Sequence, residues 1–208
     1  MVIRAICGKN LMNVKEPDPS GTYTYADYLT WEWEQMAELI QGKIFKMSPA
    51  PGSAHQSISG NFHVPIWNYF HGKKCHVFLA PFDVRLPGPS KKDKDIGTVV
   101  QPDVCVICDP SKIDERGCLG APDWIIEILS SHTSSKDLTL KFDVYEAAGV
   151  KEYWVVHPSE QTVLVYALDK YGKYVGKLRP FVRTETISPM LFPDLSISLE
   201  QVFSEGEV

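Results

Sequence analysis

The chain has 208 residues, 44% hydrophobic and 23% charged, with a formal net charge of −5 and a pI near 5.7. That suits one domain with a sizeable core and argues against a protein that coats nucleic acid through overall charge, though not against a local basic groove. No apolar run reaches the ~18 residues of a membrane span and no signal-peptide pattern opens the chain. Cysteines at 7, 75, 105, 108 and 118 are odd in number and scattered, unlike a disulfide framework, so a reducing cytoplasm is the expected setting.

Residues 1–22 are polar and proline-rich and read as an N-terminal extension, with 23–208 as a single domain. A short helix is expected over 24–29. Residues 38–45 read as a hairpin turning at Gln41-Gly42. In 55–70, Ile58, Phe62, Ile66 and Tyr69 or Phe70 recur at helical spacing, with Pro65 expected to kink or interrupt the helix. A strand is expected over 77–86 and a lysine-rich loop over 88–97. Two further strands are expected over 99–108 and 123–129, both apolar enough to be buried on both faces.

The segment 138–148 is the clearest helix. Ser134 or Ser135 can cap its start, Asp137 suits its first turn and Gly149 its end. Residues 152–156 and 162–167 read as paired strands, and loops with a short segment close the chain. The mixture predicts an α/β or α+β fold, a central mixed sheet flanked by helices.

Several motifs reduce to bland readings. Cys105-Val106-Ile107-Cys108 has a CxxC spacing, but residues three apart on a strand face opposite ways and no second pair completes four ligands, so core packing is expected. No G-x-S-x-G turn, dinucleotide fingerprint or Walker loop is present. The loop Lys91-Lys92-Asp93-Lys94-Asp95 mixes signs and reads as solvated.

The acids are more informative. Asp103 opens the apolar run Val104-Cys105-Val106-Ile107-Cys108, and Glu127 lies 24 residues later inside Trp124-Ile125-Ile126-Glu127-Ile128-Leu129. A carboxylate inside a buried strand costs several kcal/mol, on the order of a lost ion pair, unless something neutralises it. Two such acids on adjacent strands would repel unless a cation sat between them. Oxygen ligands favour Mg²⁺ or Mn²⁺, which can activate water and stabilise phosphodiester cleavage. The alternative is a structural pairing of Glu127 with a buried Arg or Lys. Leu138, Lys141 or Phe142, Tyr145 and Ala148 share one face of the following helix. Lys141, at the edge of that stripe, could carry its ammonium to the acids or snorkel to solvent.

Asp103, Glu127 and a nearby lysine resemble the PD-(D/E)XK nuclease core. More closely, the chain from about residue 23 to 203 is similar to the Uma-type, restriction-endonuclease-like family of bacteria. The similarity runs through Glu38-Leu39-Ile40 with Gly42, Ser48-Pro49 with His55-Gln56, and Gln101-Pro102-Asp103. It continues in Ala121-Pro122-Asp123, Glu127-Ile128-Leu129-Ser130, Asp137 with Lys141 and Tyr145, Gly149-Val150-Lys151-Glu152-Tyr153-Trp154, and Phe192-Pro193-Asp194-Leu195.

This resemblance implies a Mg²⁺- or Mn²⁺-dependent endonuclease acting on DNA, with Asp103, Glu127 and the Ile128 carbonyl as metal ligands and Lys141 as the catalytic lysine. It also marks Glu38, as a third acid, and His55, as a phosphate-orienting or proton-transfer group. The slot two residues after the glutamate, lysine in the general motif, is Leu129, so Lys141 is the relocated substitute and Lys136 the other candidate. Gln41 and Lys43 stand where the family tends to carry acids, and Ser131 where it carries proline. Cleavage of both strands would suit a homodimer. The rival reading is a catalytically silent nuclease-like domain that binds nucleic acid or a protein partner.

Overall fold

The computed structural model describes residues 17–31, 37–47, 52–130 and 135–204, the side chains of 135–137 excepted. Most of the proposed extension, together with Ser48-Pro49, Ser131, Ser134 and the side chains of Lys136 and Asp137, lies outside the described residues.

The first described element is α1 (Tyr25–Tyr28), capped by Thr24 and Asp27, whose side chain accepts from the Thr24 N–H at 2.8 Å. The hairpin follows as β1 (Ala37–Ile40) and β2 (Lys43–Lys46). Its turn residues Gln41 and Gly42 sit at φ 50° and 77°, a left-handed pair that the Gln-Gly sequence permits. Next are α2 (Ser53–Phe70), β3 (His76–Leu79), β4 (Val84–Arg85), β5 (Val99–Val100) and β6 (Val104–Ile107). After β7 (Ile113–Asp114) and β8 (Gly117–Leu119) come β9 (Trp124–Ile128), α3 (Ser135–Ala148), β10 (Glu152–His157) and β11 (Thr162–Leu168). The short β12 (Tyr174–Gly176), β13 (Phe181–Val182), β14 (Thr186–Ile187), β15 (Ile197–Ser198) and α4 (Leu199–Val202) complete it.

A mixed sheet in the order β12-β11-β10-β9-β6-β3, with β13 also on β11, forms the centre. Here β9 runs parallel to β10 and antiparallel to β6. A smaller sheet, β2-β1-β5-β4-β8-β7, packs beside it. Alternation decides which side chain goes where. Trp124, Ile126 and Ile128 of β9, Val104 and Val106 of β6, and Trp154 and Val156 of β10 join Ile58, Phe62, Ile66 and Phe70 of α2 in one core. Ile125, Cys105, Ile107, Tyr153 and Val155 face the other way, onto Val144 and Tyr145 of α3 and onto Val84, Val100 and Cys118 of the smaller sheet. Trp124 and Trp154 are both fully buried with ring centroids 4.7 Å apart. Each contributes roughly 4–6 kcal/mol of apolar burial as an upper bound.

Four expectations change. The strand expected over 77–86 is two, β3 and β4, in different sheets, with a cis Ala80–Pro81 bond between them. The one expected over 99–108 likewise splits into β5 and β6 at Pro102-Asp103. Proline lacks the N–H that a continuous ladder needs, and each break is where the chain crosses between sheets. Pro65 does not interrupt α2; the buried Ile58, Phe62, Ile66 and Phe70 hold both halves against the sheet. Finally, Cys105 and Cys108 do face opposite cores, but Cys108 is not a free packed thiol. It is disulfide-bonded to Cys75, while Cys105 and Cys118 are free and buried. Register explains the pairing, since His76 lies opposite Ile107 and the cysteines occupy the next rung. No described helix is long and apolar enough to cross a membrane.

Candidate active site

Glu127 belongs to the odd-numbered face of β9, so the strand's alternation turns it toward α3 rather than toward the tryptophan core. It is 7% exposed. Along α3, Lys141 and Tyr145 stand on the same face, one turn apart. The Lys141 ammonium donates to Glu127 Oε1 at 3.0 Å and to Glu38 Oε1 at 2.9 Å. The Tyr145 hydroxyl donates to the same Glu127 Oε1 at 2.6 Å. Glu38 reaches the site from β1, 6% exposed, and its Oε1 also accepts the backbone N–H of Gln101 at 2.8 Å.

Asp103 enters from the crossing between β5 and β6. Its Oδ2 accepts the Ile128 N–H at 2.7 Å, which ties it to the residue after Glu127. His55, in the first turn of α2, sets Nε2 3.0 Å from the Ile128 carbonyl oxygen and 3.3 Å from Asp103 Oδ2. With Nε2 protonated it donates to both, whereas its Nδ1 is buried with no hydrogen-bond partner. The structure therefore brings Glu38, His55, Asp103, Glu127, Ile128 and Lys141 into one place.

The electrostatics follow from burial and neighbours. Burial pushes the Glu127 carboxyl up to about 7; Lys141 pulls it back down, but the charges of Asp103 and Glu38 add to the rise. Burial disfavours the Lys141 ammonium, yet Glu127 and Glu38 outweigh it and hold that group well above the ordinary lysine range. Burial also opposes protonation of His55, and the Asp103 carboxylate together with the Ile128 carbonyl overcomes it, raising the imidazole above its ordinary value. Tyr145 is pushed well up by burial and then by the charge of Glu127. Three carboxylates thus share one ammonium and one imidazole, and the cluster is short of positive charge.

Among the described residues no three His, Cys, Asp or Glu side chains converge tightly enough to hold a metal by themselves. Two carboxylates and a main-chain carbonyl, with water completing the shell, is a donor set of the kind Mg²⁺ takes. The lysine-rich loop does not reach this cluster through any hydrogen bond of the described residues. Its Asp93 pairs with Arg116 and its Asp95 accepts from Ser90.

The sequence profile of the Uma2 family, described as "Putative restriction endonuclease", matches residues 25–200. The chain belongs to the Uma2 family. A structure similar over 87% of this chain and 97% of its own, with a TM-score of 0.65 and 26% identity, is that of "a putative nuclease belonging to DUF820" from Anabaena variabilis. A Synechocystis relative, "Uncharacterized protein slr1290", is 23% identical over 152 residues, 72% of this chain and 76% of the relative. Family and fold support a nuclease-type function for this Uma2 chain. Every residue of the cluster falls within the span matched to the family.

Two contacts had no separate signal in the sequence. Tyr145 reads there as core filling, and only its spacing of four from Lys141 hints that both reach one acid. The Gln101 N–H on Glu38 depends on the crossing at Pro102, which local pattern does not reveal.

Proposed function

We propose that this protein is a divalent-metal-dependent DNA endonuclease, with Asp103, Glu127 and the Ile128 carbonyl holding the cation. The observation that carries the reading is the charge deficit around Glu127, where one buried ammonium is shared by Glu38 and Glu127 and the Asp103 carboxylate adds to the repulsion. A purely structural cluster would match charges; with the Lys141 ammonium and a protonated His55 set against three carboxylates, this one falls a positive charge short. A bound Mg²⁺ or Mn²⁺ would supply Lewis acidity and lower the pKa of a coordinated water.

The chain's own groups then have definite tasks. Lys141, anchored between Glu38 and Glu127, positions the attacking water or offsets charge building on the phosphoryl oxygens. Glu38 acts through Lys141, since its Oε1 is already committed to the ammonium and to Gln101 N–H. His55 orients phosphate or carries the proton between solvent and the reacting groups. In the net reaction water adds to phosphorus, the bond to one bridging sugar oxygen breaks, and that oxygen takes up a proton. DNA as substrate, a homodimer as the cleaving unit and a cytoplasmic location belong to the same proposal.

The bridging of both glutamates by Lys141 also favours a second reading, a silent nuclease-like domain in which the ion triad is structural. Nicking of supercoiled plasmid separates the two. The endonuclease reading expects nicking that needs Mg²⁺ or Mn²⁺, stops with chelator and is absent in Glu127→Gln. No nicking by the wild-type chain over a range of both metals, with DNA still bound, would favour the silent domain.

A further inference from the structure

Among the described residues, only one of the two oxygens of Glu127 accepts a hydrogen bond. Oε1 accepts both the Lys141 ammonium, at 3.0 Å, and the Tyr145 hydroxyl, at 2.6 Å. Oε2 accepts no hydrogen bond from a described residue. The phenol is fixed in turn. Tyr145 is 0% exposed, and its ring packs against that of Tyr153 with centroids 5.1 Å apart in an edge-on arrangement. A lysine on four rotatable bonds cannot set a carboxylate plane alone, whereas a buried phenol on a packed helix can.

We propose that Tyr145 is a positioning residue of the site. By sharing Oε1 with Lys141 it fixes the Glu127 carboxylate plane and leaves Oε2 as the oxygen offered to the cation. This rests on the metal-dependent reading above and adds to it the residue that orients the ligand. The same contact keeps Lys141 off Oε2, so lysine and cation use different oxygens of one acid. Groups that orient a ligand from behind, without touching the metal, typically change its affinity by ~10–100-fold when removed.

Calorimetric titration of the full chain with MnCl₂, without nucleic acid, tests the proposal in the wild type, Tyr145→Phe and Glu127→Gln. Tyr145→Phe keeps the ring and removes only the hydroxyl. The expected result is binding about tenfold weaker than wild type, with Glu127→Gln binding nothing. Unchanged affinity in Tyr145→Phe, even with a lowered melting temperature, would make the hydroxyl merely structural and overturn the proposal. A wild-type chain that binds no Mn²⁺ would overturn the metal-dependent reading along with it, which the first outcome would not. A second measurement does not depend on the variant folding. Saturating the wild type with Mg²⁺ should shift a tyrosine near-ultraviolet band, because charge drawn from Glu127 weakens the bond that Oε1 accepts. Calorimetric binding with no tyrosine shift would contradict the proposal.

Discussion

Two buried glutamates sit on neighbouring parallel strands of the central sheet, Glu127 on β9 and Glu152 on β10, and they differ in kind. Glu152 is 0% exposed, and its oxygens accept the Trp154 indole N–H at 2.7 Å and the Met190 and Leu191 backbone N–H groups at 3.0 Å each. All three donors are neutral, and the acid pins the loop before β15 to the sheet. Glu127 has a cation and a phenol on one oxygen and a second acid, Asp103, close enough to raise it. Burial raises both carboxyls above the ordinary range. Burial therefore does not mark a functional acid. The company separates them: neutral donors saturate Glu152 and make it a structural tie, whereas Glu127 lies among repelling acids beside the Lys141 ammonium, the arrangement on which the proposed cation site rests.

The comparison breaks most visibly at Glu152. Glu152→Ala strands one buried donor, the Trp154 indole N–H, at roughly 1–3 kcal/mol, and two part-buried backbone N–H groups that cost less because water reaches them. Urea unfolding should show a loss on the order of 3–6 kcal/mol, with Mn²⁺ binding intact in whatever fraction stays folded. A loss below about 1 kcal/mol would mean that the loop is held by other contacts.

Lys141→Ala comes next. It leaves Glu38 and Glu127 without their shared ammonium, so the metal-free chain should lose about 3 kcal/mol. Cleavage should vanish while Mn²⁺ still binds, and added Mn²⁺ should recover part of the lost melting temperature, since a ligand of the native state stabilises it. Retained cleavage would move the catalytic lysine elsewhere, and Lys136→Ala, expected to keep most activity, is the control.

The smallest effect is expected at a partly exposed acid that is neither kind. Arg179 hydrogen-bonds Glu185 and, with the Val182 N–H, lowers its carboxyl from 4.5 to about 2. A depressed carboxyl favours the fold above its unfolded value and loses that contribution as pH falls from about 4.5 to 2. Melting temperature against pH should be shallower over that window in Arg179→Ala, and solvent screening keeps the difference small. An identical profile would make the pair inconsequential.

Much of the frame was legible because it is local. The unbroken apolar run around Glu127 in Trp124-Ile125-Ile126-Glu127-Ile128, the stripe through Leu138, Lys141 and Tyr145, and the Gln41-Gly42 turn each specify an element without reference to distant chain. The division of 77–86 and 99–108 was not, although Pro81 and Pro102 stood in plain sight. A proline says that a ladder stops, and only tertiary pairing says that the chain has changed sheets. The site follows the same rule. Asp103, Glu127 and Lys141 stand out as charges in apolar settings, whereas the seat of His55 between Asp103 and the Ile128 carbonyl needs three elements assembled.

Calorimetric titration with Mn²⁺ of the wild type beside Glu127→Gln and Glu152→Gln tests the central claim most directly. The account predicts a binding site in the wild type, its loss in a still-folded Glu127→Gln, and its persistence in Glu152→Gln. Wild-type affinity in Glu127→Gln, or loss of binding in a folded Glu152→Gln, would contradict it.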